Sequence, residues 1–258
     1  YEGTGGFPIA SGLLRIAAAV REVDFNILLT NQFSADSRMM IRRRVKDRLE
    51  TVAGFLHWDS DPYLVVTDEG HLVWTVDGYT TSDAHPYSQL LSFQGRRLNY
   101  MRNSVKATVD AYHGTINLYI ADPADPIIQA YSRLFPTLFK PLTAMPDALR
   151  RHLRYPEAFF RVQAEIYRNY HMRDPQAFYN KEDVWDVARN VQGRDSTPQM
   201  VPPTYVLATL PGESEPEFLL ILPFTPRNKD NLIGLMAARC DGEKLGELRF
   251  LQLSKQAL

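Results

Sequence analysis

Cysteine, net charge and long apolar runs are all scarce in this chain of 258 residues. Its single cysteine, Cys240, excludes an internal disulfide and a CxxC metal site, and we expect it to be a small buried side chain. The formal net charge is −1, whereas nucleic-acid-binding domains usually carry a basic excess. We therefore expect no nucleic-acid partner.

No apolar run approaches the roughly 20 residues that a membrane-spanning helix needs. The longest run, Phe218–Phe224, has the length of a strand. The first residues, YEGTGG, have neither a basic nor an apolar signal region. GxSxG, HExxH, GxGxxG and the phosphate-loop motif are absent. We expect the chain to be an excised piece of a longer protein. It contains none of these motifs to indicate a particular reaction.

Two helices are predicted near the N-terminus. In Ser11–Val23 apolar residues recur at helical spacing, with Ser11 at the start. In Asp36–Trp58 one apolar stripe is formed by Ile41, Val45, Leu49, Val52 and Leu56. Ser34 or Asp36 is the expected N-cap of the second helix.

The opposite face of the second predicted helix is basic and includes Arg42, Arg43 and Lys46. It fits a docking face for acidic lipid headgroups or a partner. It also fits a solvated face with local pairs, Arg43–Asp47 and Lys46–Glu50. The interleaved acids favour the solvated face.

The rest of the pattern predicts an α+β fold with antiparallel β-hairpins near both ends and a mainly helical middle segment. Helical patterns run from Asp125 to Asp186, with prolines near the helix starts. The polar, proline-bearing stretch 191–203 is predicted as a loop or linker. This divides the chain into an α+β core at 1–190 and a C-terminal β segment at 204–258, packed on the same core.

The stretch DGYTTSDAHPYSQ, Asp77–Gln89, is the best candidate site. Catalytic candidates are Asp77, Asp83, His85 and Asp110, and the first three are also candidate ligands for a divalent cation. Candidate ligand-binding residues are Tyr79, Thr80, Thr81, Ser82 and Tyr87. The alternative is an ordered turn, in which hydroxyls and carboxylates bond their own backbone and the two tyrosines anchor the loop by burial.

Four separated stretches carry a resemblance to a known family: DGYTTSDAHPYS, NYMRNSVKATVDAYHGTINLYIADPADP, HLRYPEAFFRVQAEIYRNYHMRDPQAFYN and LPFTPRNKDNLIGLMAARCDG. Together they resemble an uncharacterised (UPF-type) family of large bacterial multi-pass membrane proteins. The resemblance implies that the chain is part of the long soluble region outside the cytoplasm. It implies no catalytic residues.

Two functions follow as expectations. The first is a non-enzymatic extracytoplasmic module of an integral membrane protein at the bacterial cell membrane. It would serve assembly with the membrane-spanning part of its parent, or handle an envelope lipid or polymer. The alternative is a metal-assisted hydrolase or transferase centred on Asp77–Gln89. Convergence of its candidate side chains would favour the enzyme, and side chains bonded to the backbone would favour the module.

Overall fold

The computed structural model describes residues 3–190 and 199–253. Within these ranges the helices are α1 Gly12–Glu22, α2 Asn26–Leu29, α3 Val45–Ala53, α4 Pro126–Leu134, α5 Asp147–Arg150, α6 Glu157–Tyr170 and α7 Pro175–Asn180. The strands are β1 Phe7–Pro8, β2 Arg38–Met39, β3 His57–Trp58, β4 Tyr63–Val66, β5 Leu72–Ser82, β6 Leu91–Phe93, β7 Arg96–Leu98, β8 Tyr100–Asp110, β9 Ile116–Ile120, β10 Phe139–Pro141, β11 Trp185–Val187, β12 Arg189–Asn190, β13 Gln199–Met200, β14 Thr204–Ala208, β15 Glu217–Pro226, β16 Gly234–Arg239 and β17 Leu248–Gln252. The α+β class is confirmed.

The chain separates into two compact units. The first contains residues 1–82 and 100–145, and the second contains 83–99 and 146–258. This differs from the predicted division near 191–203, because α6 packs on β11 and its apolar side chains share a core with the C-terminal strands. Of the predicted linker, 191–198 lies outside the described residues, and β13 pairs with β12.

The first unit is built on a sheet with the strand order β10-β9-β8-β5-β3, and β4 pairs with the other end of β5. Neighbouring strands are antiparallel except β9 and β10. One face of the sheet is apolar, with Val76 on β5 packed among residues of β8, α3 and α4. The buried core there is Leu49, Ala53, Leu56, Trp58, Val76, Val105, Ala107, Val109, Leu118 and Ile128.

The helix predicted for Asp36–Trp58 is much shorter than expected. Residues 38–39 pair with 7–8 as strands instead, and Arg42 has a positive φ of 49°, which no α-helix allows. The helix α3 begins after Arg44, so neither Ser34 nor Asp36 is its N-cap. Neither predicted local pair is among the ion pairs that the described residues form.

The predicted apolar stripe of that helix is only partly buried. Leu49 and Leu56 are in the core, whereas Val52 is 43% exposed. A stripe drawn over Asp36–Trp58 assumes one continuous helix. Because the chain is helical only from residue 45 to 53, Ile41 and Leu56 do not belong to the helix face.

Helix α1 begins at its predicted cap, since the Ser11 side chain accepts a hydrogen bond from the Leu14 N–H. Its buried face is made of Ala18 and Ala19. The apolar residues that predicted the helix point outward, and Leu13 is 79% and Val20 66% exposed. The predicted helix is therefore present, and its apolar stripe is exposed.

The second unit contains a sheet with the order β11-β15-β16-β17, and β14 pairs with the first half of β15. Helix α6 contributes Phe160 and Ala164 to its core, with Leu220, Leu222, Phe224 and Met236 of β15 and β16. Tyr170, in the last turn of α6, is 51% exposed. Pro156 and Pro175 lie at or next to the N-caps of α6 and α7, where proline costs no helical hydrogen bond.

A buried arginine in the second unit forms ion pairs with three glutamates. The side chain of Arg239, at the end of β16, is 1% exposed and forms ion pairs with Glu213, Glu217 and Glu247. Lys244 bonds Glu213 from the solvent side. The pKa of Glu213 is lowered by its hydrogen bonds to Lys244 and Arg239. The three carboxylates thus compensate the charge of the buried guanidinium group.

Candidate functional site

The predicted site residues belong to two different units. Asp77, Tyr79, Thr80, Thr81 and Ser82 lie on β5 in the first unit. Asp110 ends β8 in the same unit, and Asp83, His85 and Tyr87 lie in a loop of the second unit. The predicted loop Asp77–Gln89 is therefore half strand, because the β-pattern of HLVWTVDGY continues to Ser82.

Asp77 forms a buried ion pair. On β5 it lies directly opposite Lys106 of β8, and its Oδ1 accepts from the Lys106 Nζ and from the Asn103 Nδ2 at 2.9 Å. Both charged side chains are about as inaccessible as core leucines. Lys106 is a residue that the site prediction missed, and a lysine inside the apolar alternation VKATV was its signal.

An irregularity in the ladder follows Asp77. The β5–β8 register shifts between Gly78 and Thr80, so that Tyr79 faces two residues of β8, Asn103 and Ser104. The Tyr79 ring is fully buried, as predicted, and its hydroxyl donates to Asp59. Burial raises the pKa of Asp59 despite this hydrogen bond.

Past the irregularity, the hydroxyls of β5 and β8 converge on Asp125. Thr80 and Ser104 donate to its Oδ2, with Ser104 at 2.6 Å, and Tyr100 donates to its Oδ1 at 2.6 Å. The Ile127 N–H also donates to Oδ1, so Asp125 is the N-cap of α4. Burial raises the pKa of Asp125, but these four hydrogen bonds outweigh it, and the pKa is lowered overall.

The hydrogen bond between Tyr100 and Asp125 also changes the pKa of the Tyr100 hydroxyl. Burial and the hydrogen bond to the Asp125 carboxylate raise the pKa of Tyr100 to about 12. A carboxylate held ionised by three hydroxyls and one backbone N–H is a structural anchor between the sheet and α4. Thr80, a predicted ligand-binding residue, has its hydroxyl engaged there.

Asp110 does not meet Asp77. The register places Asp110 opposite Val73, four residues along β5 from Asp77, which corresponds to about 13 Å. Its carboxylate instead accepts from the backbone N–H groups of Tyr112 and His113 and closes the β8–β9 turn. This is the bonding that the structural alternative predicts.

In the second unit, the loop after β5 is held by Asn99. Its side chain accepts from the His85 N–H at 3.0 Å and donates to the His85 carbonyl at 2.8 Å, and its carbonyl accepts from the Ser88 hydroxyl. Tyr87 is fully exposed with φ of 57°, so the prediction that it anchors the loop by burial is wrong.

Within the described ranges, no three His, Cys, Asp or Glu side chains are grouped so that they could hold a metal ion. Asp83 and His85 are both exposed. The His85 Nδ1 lies 3.1 Å from the Pro86 carbonyl.

A basic cleft in the first unit is the feature that the site prediction missed. It has a volume of about 520 Å³ and lies between the segment 38–48 and the β8–β9 turn. Arg38, Arg43 and Arg48 line it on one side, and Asp110, Tyr112 and His113 line it on the other. The segment IRRRVKDR was the signal for Arg43 and Arg48, but the helical interpretation assigned its basic side chains to a solvated face.

Fold and site together define an α+β protein of two units, with a buried Asp77–Lys106 ion pair on its first sheet and a basic cleft in the first unit. The chain belongs to the uncharacterised protein family UPF0182, whose profile matches residues 1–258. No helix among the described residues has the length and apolar character to cross a membrane. No solved structure shows significant similarity to the chain.

Curated relatives are similar over the whole chain. A UPF0182 protein of Solibacter usitatus (strain Ellin6076) is 64% identical, and the chain covers 28% of its length. A UPF0182 protein of Synechococcus sp. (strain JA-3-3Ab) is 48% identical, with 30% of its length covered. A UPF0182 protein of Methanospirillum hungatei is 47% identical, with 29% covered. The chain thus spans less than a third of these relatives.

Proposed function

We propose that this chain is a non-enzymatic extracytoplasmic module of a multi-pass membrane protein. It docks on the membrane-spanning part of the same polypeptide and takes part in handling an envelope lipid or polymer. The observation that carries the proposal is an uncovered apolar surface, the α1 face, formed at helical spacing by Leu13, Ile16, Ala17 and Val20.

The α1 face is unusually exposed for so many apolar side chains. Leu13 is 79% exposed, Val20 66% and Ile16 54%. Val23, Phe25 and Leu29, which follow α1 in the chain, are 81%, 65% and 79% exposed. Contiguous apolar surface of this kind marks an interaction site in a soluble domain. More than two thirds of each curated relative lies outside the matched segment. A comparable remainder of this polypeptide would be the covalently linked partner of the α1 face.

The enzyme alternative is weaker. A carboxylate that neutralises a buried lysine is not available as a metal ligand or a general base, and Asp77 has that role. Asp110 is committed to its own turn. Both side chains behave as the structural alternative predicts.

Maleimide labelling of single cysteines in the whole protein tests the docking. Leu13→Cys probes the α1 face, and Glu69→Cys, in the exposed β4–β5 turn, is the matched control. The native Cys240 is 2% exposed, so the wild-type protein supplies the background. We expect Leu13→Cys to react much more slowly than Glu69→Cys, both in membranes and after solubilisation in mild detergent.

Two results would contradict the docking. Equal labelling of both cysteines would show that nothing covers the α1 face. Protection of Leu13→Cys that is lost in detergent would show that lipid covers the face. A membrane-impermeant maleimide on intact spheroplasts tests the location, because Glu69→Cys should then be labelled from outside.

A further inference from the structure

We propose that the basic cleft of the first unit binds an oxyanion, a phosphate or a carboxylate, carried on a molecule with an apolar or aromatic part. The proposal rests on the ligand-handling role given above and specifies the chemistry of its ligand. It does not depend on the α1 face.

The charge in the cleft is unbalanced. Three guanidinium groups line it against one carboxylate, that of Asp110. The Asp110 Oδ1 accepts from the N–H groups of the β8–β9 turn, and its single negative charge offsets only one of the three positive charges. Among the described residues, Arg38, Arg43 and Arg48 form no ion pair with any Asp or Glu.

The three arginines retain free donors. A guanidinium carries five N–H groups. Arg38 uses Nε and Nη2 to hold the carbonyls of Thr4, Gly5 and Gly6 at 2.8–3.1 Å. Arg48 uses Nη2 for the Gly114 carbonyl at 2.8 Å. Their side chains are thereby fixed in place, while the remaining N–H groups have no partner among the residues that the structure describes.

Arg43 is the least engaged of the three. It is exposed and makes no hydrogen bond to any described residue. It therefore contributes charge and five donors to the cleft without a structural task. An arginine in this state matches the planar, paired acceptors of phosphate and carboxylate groups.

The N-terminus of α3 adds a second source of positive potential. Val45, the first residue of α3, lines the cleft, and no side chain caps this end of the helix. The first N–H groups of a helix have no internal partner, and the helix dipole favours an anion beside them. The helix end alone would not define a site, but here it opens on a cleft that already holds three arginines.

The apolar part of the ligand follows from the rest of the lining. Met40, Val45, Trp74 and Val109 line the same cleft. Its volume of about 520 Å³ falls in the usual range for small-molecule sites, roughly 300–1,000 Å³. A bare inorganic ion would leave most of this space and the Trp74 ring unused.

Calorimetric titration of the whole protein, at constant ionic strength, tests the proposal with phenyl phosphate, inorganic phosphate and benzoate. We expect phenyl phosphate or benzoate to bind more tightly than inorganic phosphate. Which of the two binds better tells a phosphate ligand from a carboxylate. Arg43→Gln should weaken binding roughly tenfold or more, the loss expected for hydrogen bonds to a charged group.

Arg133→Gln is the matched control, because Arg133 is an exposed arginine on α4 of the same unit, away from the cleft lining. It should leave binding unchanged. Absence of binding for all three probes, or equal weakening by both variants, would overturn the proposal. Equal affinity for phenyl phosphate and inorganic phosphate would overturn its apolar part. The labelling of Leu13→Cys tests the α1 face and does not depend on ligand binding in the cleft. Either proposal can therefore fail without the other.

Discussion

Asp77 and Lys106 lie directly opposite each other on β5 and β8, and their ion pair is almost completely buried, with side chains 5% and 4% exposed. A pair in this position is part of the scaffold. Removing either partner leaves the other charge buried and uncompensated, which is far more costly than losing a surface pair.

Lys106→Met should therefore cost about 3–5 kcal/mol of unfolding free energy. Lys229→Met, at an exposed position, should cost less than about 0.5 kcal/mol. Chemical denaturation of both variants measures the difference. A loss below about 1 kcal/mol for Lys106→Met would mean that the pair is not buried in solution.

Two carboxylates of the first unit should give opposite pH dependences. The pKa of Asp125 is lowered from its ordinary value of 3.8, so the unfolded chain takes up the proton first as the pH falls. Its stabilisation is complete above that value and is lost as the pH falls through the folded pKa. The pKa of Asp59 is raised, so its favourable contribution is present at low pH and is lost as the pH rises through the folded pKa.

The variants Asp125→Asn and Asp59→Asn test these signs by unfolding at about pH 3 and pH 6. Asp125→Asn should reduce the unfolding free energy more at about pH 6 than at about pH 3. Asp59→Asn should reduce it more at about pH 3 than at about pH 6. Costs that change with pH in the same direction for both variants would contradict the assigned shifts.

The apolar stripe of α3 supplies an internal comparison. Leu49 is fully buried and Val52 is 43% exposed on the same helix. Leu49→Ala should cost about 2–5 kcal/mol, as expected for a cavity in a packed core. Val52→Ala should cost less than about 0.5 kcal/mol, because alanine also has the higher helix propensity. Similar costs would show that Val52 is buried, as the predicted stripe requires.

Much of the strand structure could be predicted from the sequence, because alternation and turn residues are local signals. YLVVT and HLVWTVDGY form β4 and β5, and VKATVD and INLYI fall in β8 and β9. Helix starts at Ser11 and Asp125 follow from cap chemistry. These features depend on neighbours in sequence.

Other features depend on partners distant in sequence. The strand at Arg38–Met39 exists because it pairs with Phe7–Pro8, and this pairing removed the first part of a predicted helix. The roles of Asp77 and Asp125 were set by Lys106 and by three hydroxyls brought together by an irregular ladder. A one-residue shift of register decides such contacts, and no local pattern reports it.

Substitution of Gly114 tests the position of the Arg48 side chain in the basic cleft. Its φ is +74°, and an added Cβ would lie 2.5 Å from the Arg48 Nη2. Gly70, with φ of +81°, has nothing within 4 Å of the same position and is the matched control. Both alanine variants should lose about 1–2 kcal/mol from the left-handed backbone.

Only Gly114→Ala should also displace Arg48 and break its bond to the Gly114 carbonyl. Gly114→Ala should therefore lose about 0.5–1.5 kcal/mol more unfolding free energy than Gly70→Ala. It should also bind phenyl phosphate more weakly than the wild type. Equal stabilities for the two variants would show that Arg48 does not lie against Gly114.

The melting temperature of the whole protein, measured with and without magnesium, calcium or zinc, tests most directly whether Asp77–Gln89 is scaffold or a metal site. The proteins to compare are the wild type, Asp83→Asn and His85→Ala. A ligand that binds only the native state raises its melting temperature. If the stretch is scaffold in a binding module, each cation will shift all three proteins equally. A cation that raises the melting temperature of the wild type but of neither variant would contradict the module and support a metal-assisted enzyme.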